Sequence, residues 1–102
     1  MTRFDLKYIT TESHFYKEAV AIREKLFFKN MENSLDLIND DLESNGIHLV
    51  CLDNKKVIGT GRLNINKTMC VISQMVIKPT YQKQGIGAQI LNELLKYSTE
   101  KG

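Results

Sequence analysis

The stretch Val71-Ile72-Ser73-Gln74-Met75-Val76-Ile77-Lys78-Pro79-Thr80-Tyr81-Gln82-Lys83-Gln84-Gly85-Ile86-Gly87-Ala88 decides the fold of this chain. Its first seven residues form an apolar run of strand length, and Pro79 ends it. Gly85 and Gly87 then open an amphipathic segment that runs to Lys101. A buried strand, a short loop and glycines at a helix start make a seat for an anion. The first N–H groups of a helix have no intrahelical partner and lie at the positive end of its dipole. Glycine there lets a phosphate approach the main chain closely.

Two nucleotide-binding alternatives fail on spacing. No Lys-Ser/Thr pair follows the glycines, as a P-loop requires, and no third glycine completes a dinucleotide fingerprint. What remains, Gln82-x-x-Gly85-x-Gly87 after a strand and a proline, resembles the pyrophosphate-binding motif of the GNAT family of acetyl-CoA-dependent N-acetyltransferases. The longer string from Met75 to Gly87 is similar to that family's core motif almost position for position.

At 102 residues the chain has room for one core, and residues 1–102 are expected to form a single domain. An apolar fraction of 42% with one proline indicates a folded chain. No apolar run reaches membrane-spanning length, and the start Met1-Thr2-Arg3-Phe4-Asp5 lacks a signal peptide's apolar segment. Cys51 and Cys70 lie in strand-like runs and read as buried free thiols of a reducing cytoplasm. Charge is uneven: residues 1–54 hold six Lys/Arg against ten Asp/Glu, and residues 55–102 hold eight against two. A basic half around the glycine loop suits an anionic ligand. Lys83 is the lysine placed near phosphate; Lys55, Lys56 and Lys101 read as solvated surface. No basic cluster interleaved with aromatics suggests nucleic acid, and two lone histidines without paired thiols suggest no metal.

Along the chain, Phe4 to Tyr8 alternates as a first strand, and Thr10-Thr11-Glu12 offers a cap. Phe15, Ala19, Ile22 and Leu26 recur at helical spacing through Phe27, and Asn33-Ser34-Leu35-Asp36 can cap a shorter second helix ending near Glu43. Gly46 to Leu52 is a strand apolar on both faces, and a turn at residues 53–56 leads to its hairpin partner, Val57 to Ile65. Gly59 and Gly61 weaken that second strand and mark a bulge or a close approach. Met69 to Ile77 is the next strand, and the last helix is expected to bury Ile90, Leu91, Leu94 and Leu95.

Strand, two helices, three strands and a helix make the N-terminal portion of a GNAT-like three-layer α/β fold with a mixed α+β sheet. The resemblance covers essentially the whole chain and implies a fifth strand, a fourth helix and two further strands, which the sequence does not contain. It also implies acetyl-CoA as co-substrate and no metal. The pantetheine arm would pair with Met75, Val76 and Ile77, and the pyrophosphate would lie on the N–H groups of Gln82, Lys83, Gln84, Gly85, Ile86, Gly87 and Ala88. A backbone N–H near Val76 or Ile77 would polarise the thioester carbonyl. No catalytic base or acid carries over. The carboxylate that histone-type members hold on the fourth strand is replaced by Val71-Ile72-Ser73-Gln74, and the usual tyrosine belongs to the fourth helix.

Arg23-Glu24-Lys25-Leu26-Phe27-Phe28, Asp40-Asp41, His48 and the run Val57 to Leu63 look like ElaA-like members, although Asn30-Met31 stands where those carry Glu-Gln. Arg23, Arg62 and His48 are therefore candidates for contact with the acceptor; the competing reading makes both arginines salt-bridged structural residues and His48 a half-buried one. An unpaired fourth strand exposes an apolar edge. Self-association through it is expected; the alternatives are a separately encoded chain that supplies the missing strands, or a truncated product with a cofactor site and poor catalysis. The resemblance implies a small-molecule or protein amine as acceptor, which the sequence does not identify. The rival to acetyl transfer is a non-catalytic acetyl-CoA-binding, regulatory or interaction module.

Overall fold

The structure, a computed structural model, describes residues 4–27, 43, 45–65 and 69–101. The expected second helix from Asn33 lies outside the described residues, except for Glu43, which sits in a turn. Four strands, β1 (Asp5–Ile9), β2 (Ile47–Asp53), β3 (Lys56–Ile65) and β4 (Cys70–Ile77), form one antiparallel sheet in that order. Helix α1 (His14–Ile22) packs on one face of the sheet and helix α2 (Ile86–Lys101) on the other.

The two central strands are buried on both faces, and β2 reads as apolar on both for that reason. Val50, Leu52, Val57 and Val76 point to the α1 side and meet Phe15, Ala19 and Ile22. Leu49, Cys51, Ile58 and Leu63 point to the α2 side and meet Ile86, Ile90 and Leu94. Each fully buried Leu or Ile contributes about 1.5–3 kcal/mol relative to exposure. Leu91 and Leu95 are exposed, contrary to the sequence expectation. The helix presents one stripe, and positions 86, 90 and 94 fill it.

Three further expectations are corrected. The N-cap of α1 is Ser13, whose Oγ accepts from the Phe15 N–H at 3.2 Å, whereas Thr10 Oγ1 accepts from the Glu12 N–H in the preceding turn. The helix does not run evenly to Phe27: after Ile22 it widens into a π-helical turn, Arg23–Phe27. Cys70 is exposed, because it opens the edge strand, while Cys51 is buried in a central one.

Between β3 and β4 the register shifts. Thr60 faces Val76 and Arg62 faces Ser73, so Gln74 and Met75 together oppose Gly61. This is a β-bulge, and it bends β4. Gly61 is required there by close approach: a Cβ would lie 2.9 Å from Ile90 Cγ2 and 3.2 Å from Leu94 Cδ1. The far edge of β4 has no strand beside it among the described residues.

Candidate functional site: the end of β4, its loop and the start of α2

The Lys78 N–H donates to the Ile58 carbonyl at 2.8 Å, which makes Lys78 and Ile58 a hydrogen-bonded pair. Antiparallel pairs alternate, so Ile77, opposite Gly59, turns its N–H and C=O to the open edge. The Gln82 side-chain amide donates to that Ile77 carbonyl at 2.9 Å, which leaves the Ile77 N–H as the outward donor. Met75 and Ile77 are half-buried on the α2 side, and Val76 is buried on the α1 side.

A short 3₁₀ turn, Pro79–Tyr81, carries the chain from the strand to the helix. Tyr81 anchors it by donating from its hydroxyl to Asp53 Oδ2 at 2.6 Å. That hydrogen bond, followed by burial, raises the Tyr81 pKa above the usual phenol range. Gln82, Lys83, Gln84 and Gly85 are exposed, and Lys83 and Gly85 adopt positive φ of 65° and 81°. A Cβ on Gly85 would meet nothing within 4 Å, so the space above it is open. The first intrahelical bond of α2 runs from the Gln89 N–H to the Gly85 carbonyl at 3.0 Å. The N–H groups of Ile86, Gly87 and Ala88 precede it and point out of the helix start. Ile86 is buried and holds this first turn on the sheet. Gly87 is not forced by packing, since its Cβ would touch only Ile77 Cγ1 at 4.0 Å. The arrangement can hold a diphosphate on main-chain donors at a helix dipole's positive end.

The structure brings Arg23, Arg62 and His48 together around one residue, Glu43, that sequence reasoning did not single out, with both arginines on its carboxylate. Arg23 donates from Nη1 to Glu43 Oε2 at 2.8 Å and from Nη2 to Oε1 at 2.7 Å. Arg62 Nη1 donates to Oε1 at 2.8 Å, and Tyr16 donates from its hydroxyl to Oε2 at 2.6 Å. His48 Nε2 lies 3.1 Å from the Glu43 carbonyl oxygen. Arg23, Arg62, His48 and Glu43 are all buried, His48 fully rather than half. Burial alone would raise the Glu43 pKa, but hydrogen bonds from Arg23, Tyr16 and Arg62 outweigh it and hold the carboxyl at about 2. Burial lowers His48, so it is neutral near pH 7. Burial and the bond to Glu43 raise Tyr16 to about 12. Glu43 lies 20 residues from Arg23 and 19 from Arg62, with no local pattern to mark it.

A cleft of about 480 Å³ opens between α1 and the loop, floored by Ile22 and Val57 and flanked by Glu18 and Lys78. Among the described residues no group of three His, Cys, Asp or Glu side chains could hold a metal, and no helix is long and apolar enough to cross a membrane.

Comparison with known proteins agrees with this architecture. YjcF of Bacillus subtilis (strain 168), an uncharacterized N-acetyltransferase, is 26% identical over 86 residues, covering 84% of this chain. The chain spans 61% of the length of YjcF. Among solved structures, an acyl-CoA N-acyltransferase from Pseudomonas aeruginosa superposes with a TM-score of 0.78 at 18% identity, covering 96% of this chain and 72% of that one. ElaA of Escherichia coli superposes with a TM-score of 0.77 at 15% identity, covering 96% and 71%. At such identities these two likenesses speak for the fold. The sequence pattern of the acetyltransferase (GNAT) family matches residues 10–102, and the chain belongs to that family.

Proposed function

We propose that this chain takes part in transferring an acetyl group from acetyl-CoA to an amine nitrogen. The observation that carries the reading is the alignment of main-chain donors. Ile77 presents its N–H to the open edge of β4, and Ile86, Gly87 and Ala88 present theirs beneath the open space at Gly85. The donors of the helix start fit a pyrophosphate, with Lys83 beside them as a flexible cation. The Ile77 N–H fits a thioester carbonyl oxygen, whose charge grows as the amine attacks. In that step the C–N bond forms, the C–S bond breaks, the amine gives up a proton and the thiolate takes one up. Glu43, held at about 2, is too weak a base for this exchange. Gln74 carries an amide and does not titrate.

The reading includes an amine acceptor, small-molecule or protein, and a second copy of the chain at the β4 edge. It sets both in the cytoplasm, where the free thiols of Cys51 and Cys70 persist. Calorimetric titration with acetyl-CoA, and with pantetheine lacking the pyrophosphate, tests the site. Micromolar binding that is lost without the pyrophosphate and abolished by Gly85→Val supports it; no binding at millimolar acetyl-CoA overturns it. Binding without thiol release for any amine assigns the non-catalytic alternative. A monomer by light scattering at micromolar concentration overturns self-association.

A further inference from the structure

Gln74 has φ +52°, in the left-handed region that non-glycine residues rarely occupy. It sits at the β4 bulge, where one common bulge type places glycine for that reason. Here a long polar side chain stands instead, and it is buried. Its Oε1 accepts from Arg23 Nε at 2.7 Å and also from Arg23 Nη2. The same guanidinium is fixed by both oxygens of Glu43, which Arg62 and Tyr16 hold in turn. Arg23 leaves α1 at the first residue of its π-helical turn, and this turn lies against β4.

We infer that Arg23 is a positioning residue for the acyl-binding strand: through the Gln74 amide it holds β4 in its bulged register, and the bulge aims the Ile77 N–H at the open edge. The functional half of this inference rests on the acetyl-CoA reading above; the structural half does not. The bulge shifts strand parity by one residue, so a β4 without it would turn the N–H of residue 77 towards β3. A hydrogen bond from a charged, immobilised donor can hold a backbone that its own residue type disfavours.

The test uses Gln74→Asn and Gln74→Glu. Asparagine tolerates positive φ but is one methylene too short to reach Arg23. Glutamate keeps the reach to the Arg23 guanidinium, whose positive charge complements a carboxylate; among the described residues the other titratable groups there are Arg62, Glu43, neutral His48 and the Tyr16 hydroxyl. Amide hydrogen exchange of ligand-free protein is read at Val76 and Lys78, with Val50 and Leu52 in β2 as controls. Gln74→Asn is expected to speed exchange at Val76 and Lys78 about tenfold with the controls unchanged, and to weaken coenzyme A binding by about tenfold. Gln74→Glu is expected to restore both. Unchanged exchange at Val76 and Lys78, or equal acceleration at the controls, overturns the inference, because the glycines and core then hold the bulge without Arg23. Faster local exchange with undiminished coenzyme A binding overturns its functional half. Failure of the unaltered protein to bind coenzyme A overturns the acetyl-CoA reading instead, and exchange alone then decides the role of Arg23.

Discussion

On the α2 face of the sheet, Leu49, Ile58, Leu63, Ile86, Ile90 and Leu94 close on one another, with Gly61 letting the helix sit down on β3. On the α1 face, Phe15, Ala19 and Ile22 cover one end of the sheet, and the other is filled by Arg23, Glu43, Arg62, His48 and Gln74. The two halves of the candidate site are thus held in different ways. The proposed phosphate seat rides on a helix fixed by apolar packing, which is non-directional and tolerant of graded change. The strand that offers the Ile77 N–H is fixed by a charged network that is directional and costly to break.

Glu43→Ala should give the largest loss, because it removes the carboxylate to which both buried guanidiniums donate. A cost of about 3–5 kcal/mol is expected by urea unfolding, with Glu43→Gln costing less. If Glu43→Ala costs under about 1 kcal/mol, the contrast between the faces fails. Leu94→Ala, on the other face, should cost about 3 kcal/mol and leave the urea slope unchanged.

Acid should separate the faces further. Glu43 titrates near 2 in the fold against an ordinary value of 4.5. Its contribution is therefore complete above pH 4.5 and lost as pH falls through about 2, an effect of about 3 kcal/mol. His48 acts in the same direction: its depressed pKa means the unfolded chain takes up the proton first as pH falls below 6.5. Thermal melts of Glu43→Gln between pH 5 and pH 2 should be flatter than those of the unaltered chain, and parallel curves would remove Glu43 from the account. Gly61→Ala should have the smallest effect, about 1–2 kcal/mol, as the methyl presses on Ile90 and Leu94. No measurable change would mean that α2 lifts freely.

The apolar face was legible in the sequence and the polar one was not. Ile90 and Leu94 follow helical period, and the glycines of the loop mark the helix start, so both signals are local. Leu91 and Leu95 misled because periodicity shows that a stripe exists without bounding its width. Cys70 misled because an edge strand can carry the same apolar letters as a central one. Arg23, Arg62 and His48 could be named singly. Their meeting point, Glu43, is created by contacts about twenty residues apart, and no spacing rule reaches that far. The positive φ of Gln74 is likewise invisible in a residue type that seldom adopts it.

The two cysteines form a natural labelling pair. Cys51 is sealed in the core, where burial, aided by Asp5 and Asp53, pushes its thiol up to about 11. Cys70 stands in solvent at the first residue of β4, opposite Ile65. A thiol-reactive fluorophore added to the native protein should therefore attach at Cys70 alone, without mutagenesis. Such a dye would sit on the strand that bears the bulge and the open edge, and its anisotropy would follow whatever comes to lie beside that strand.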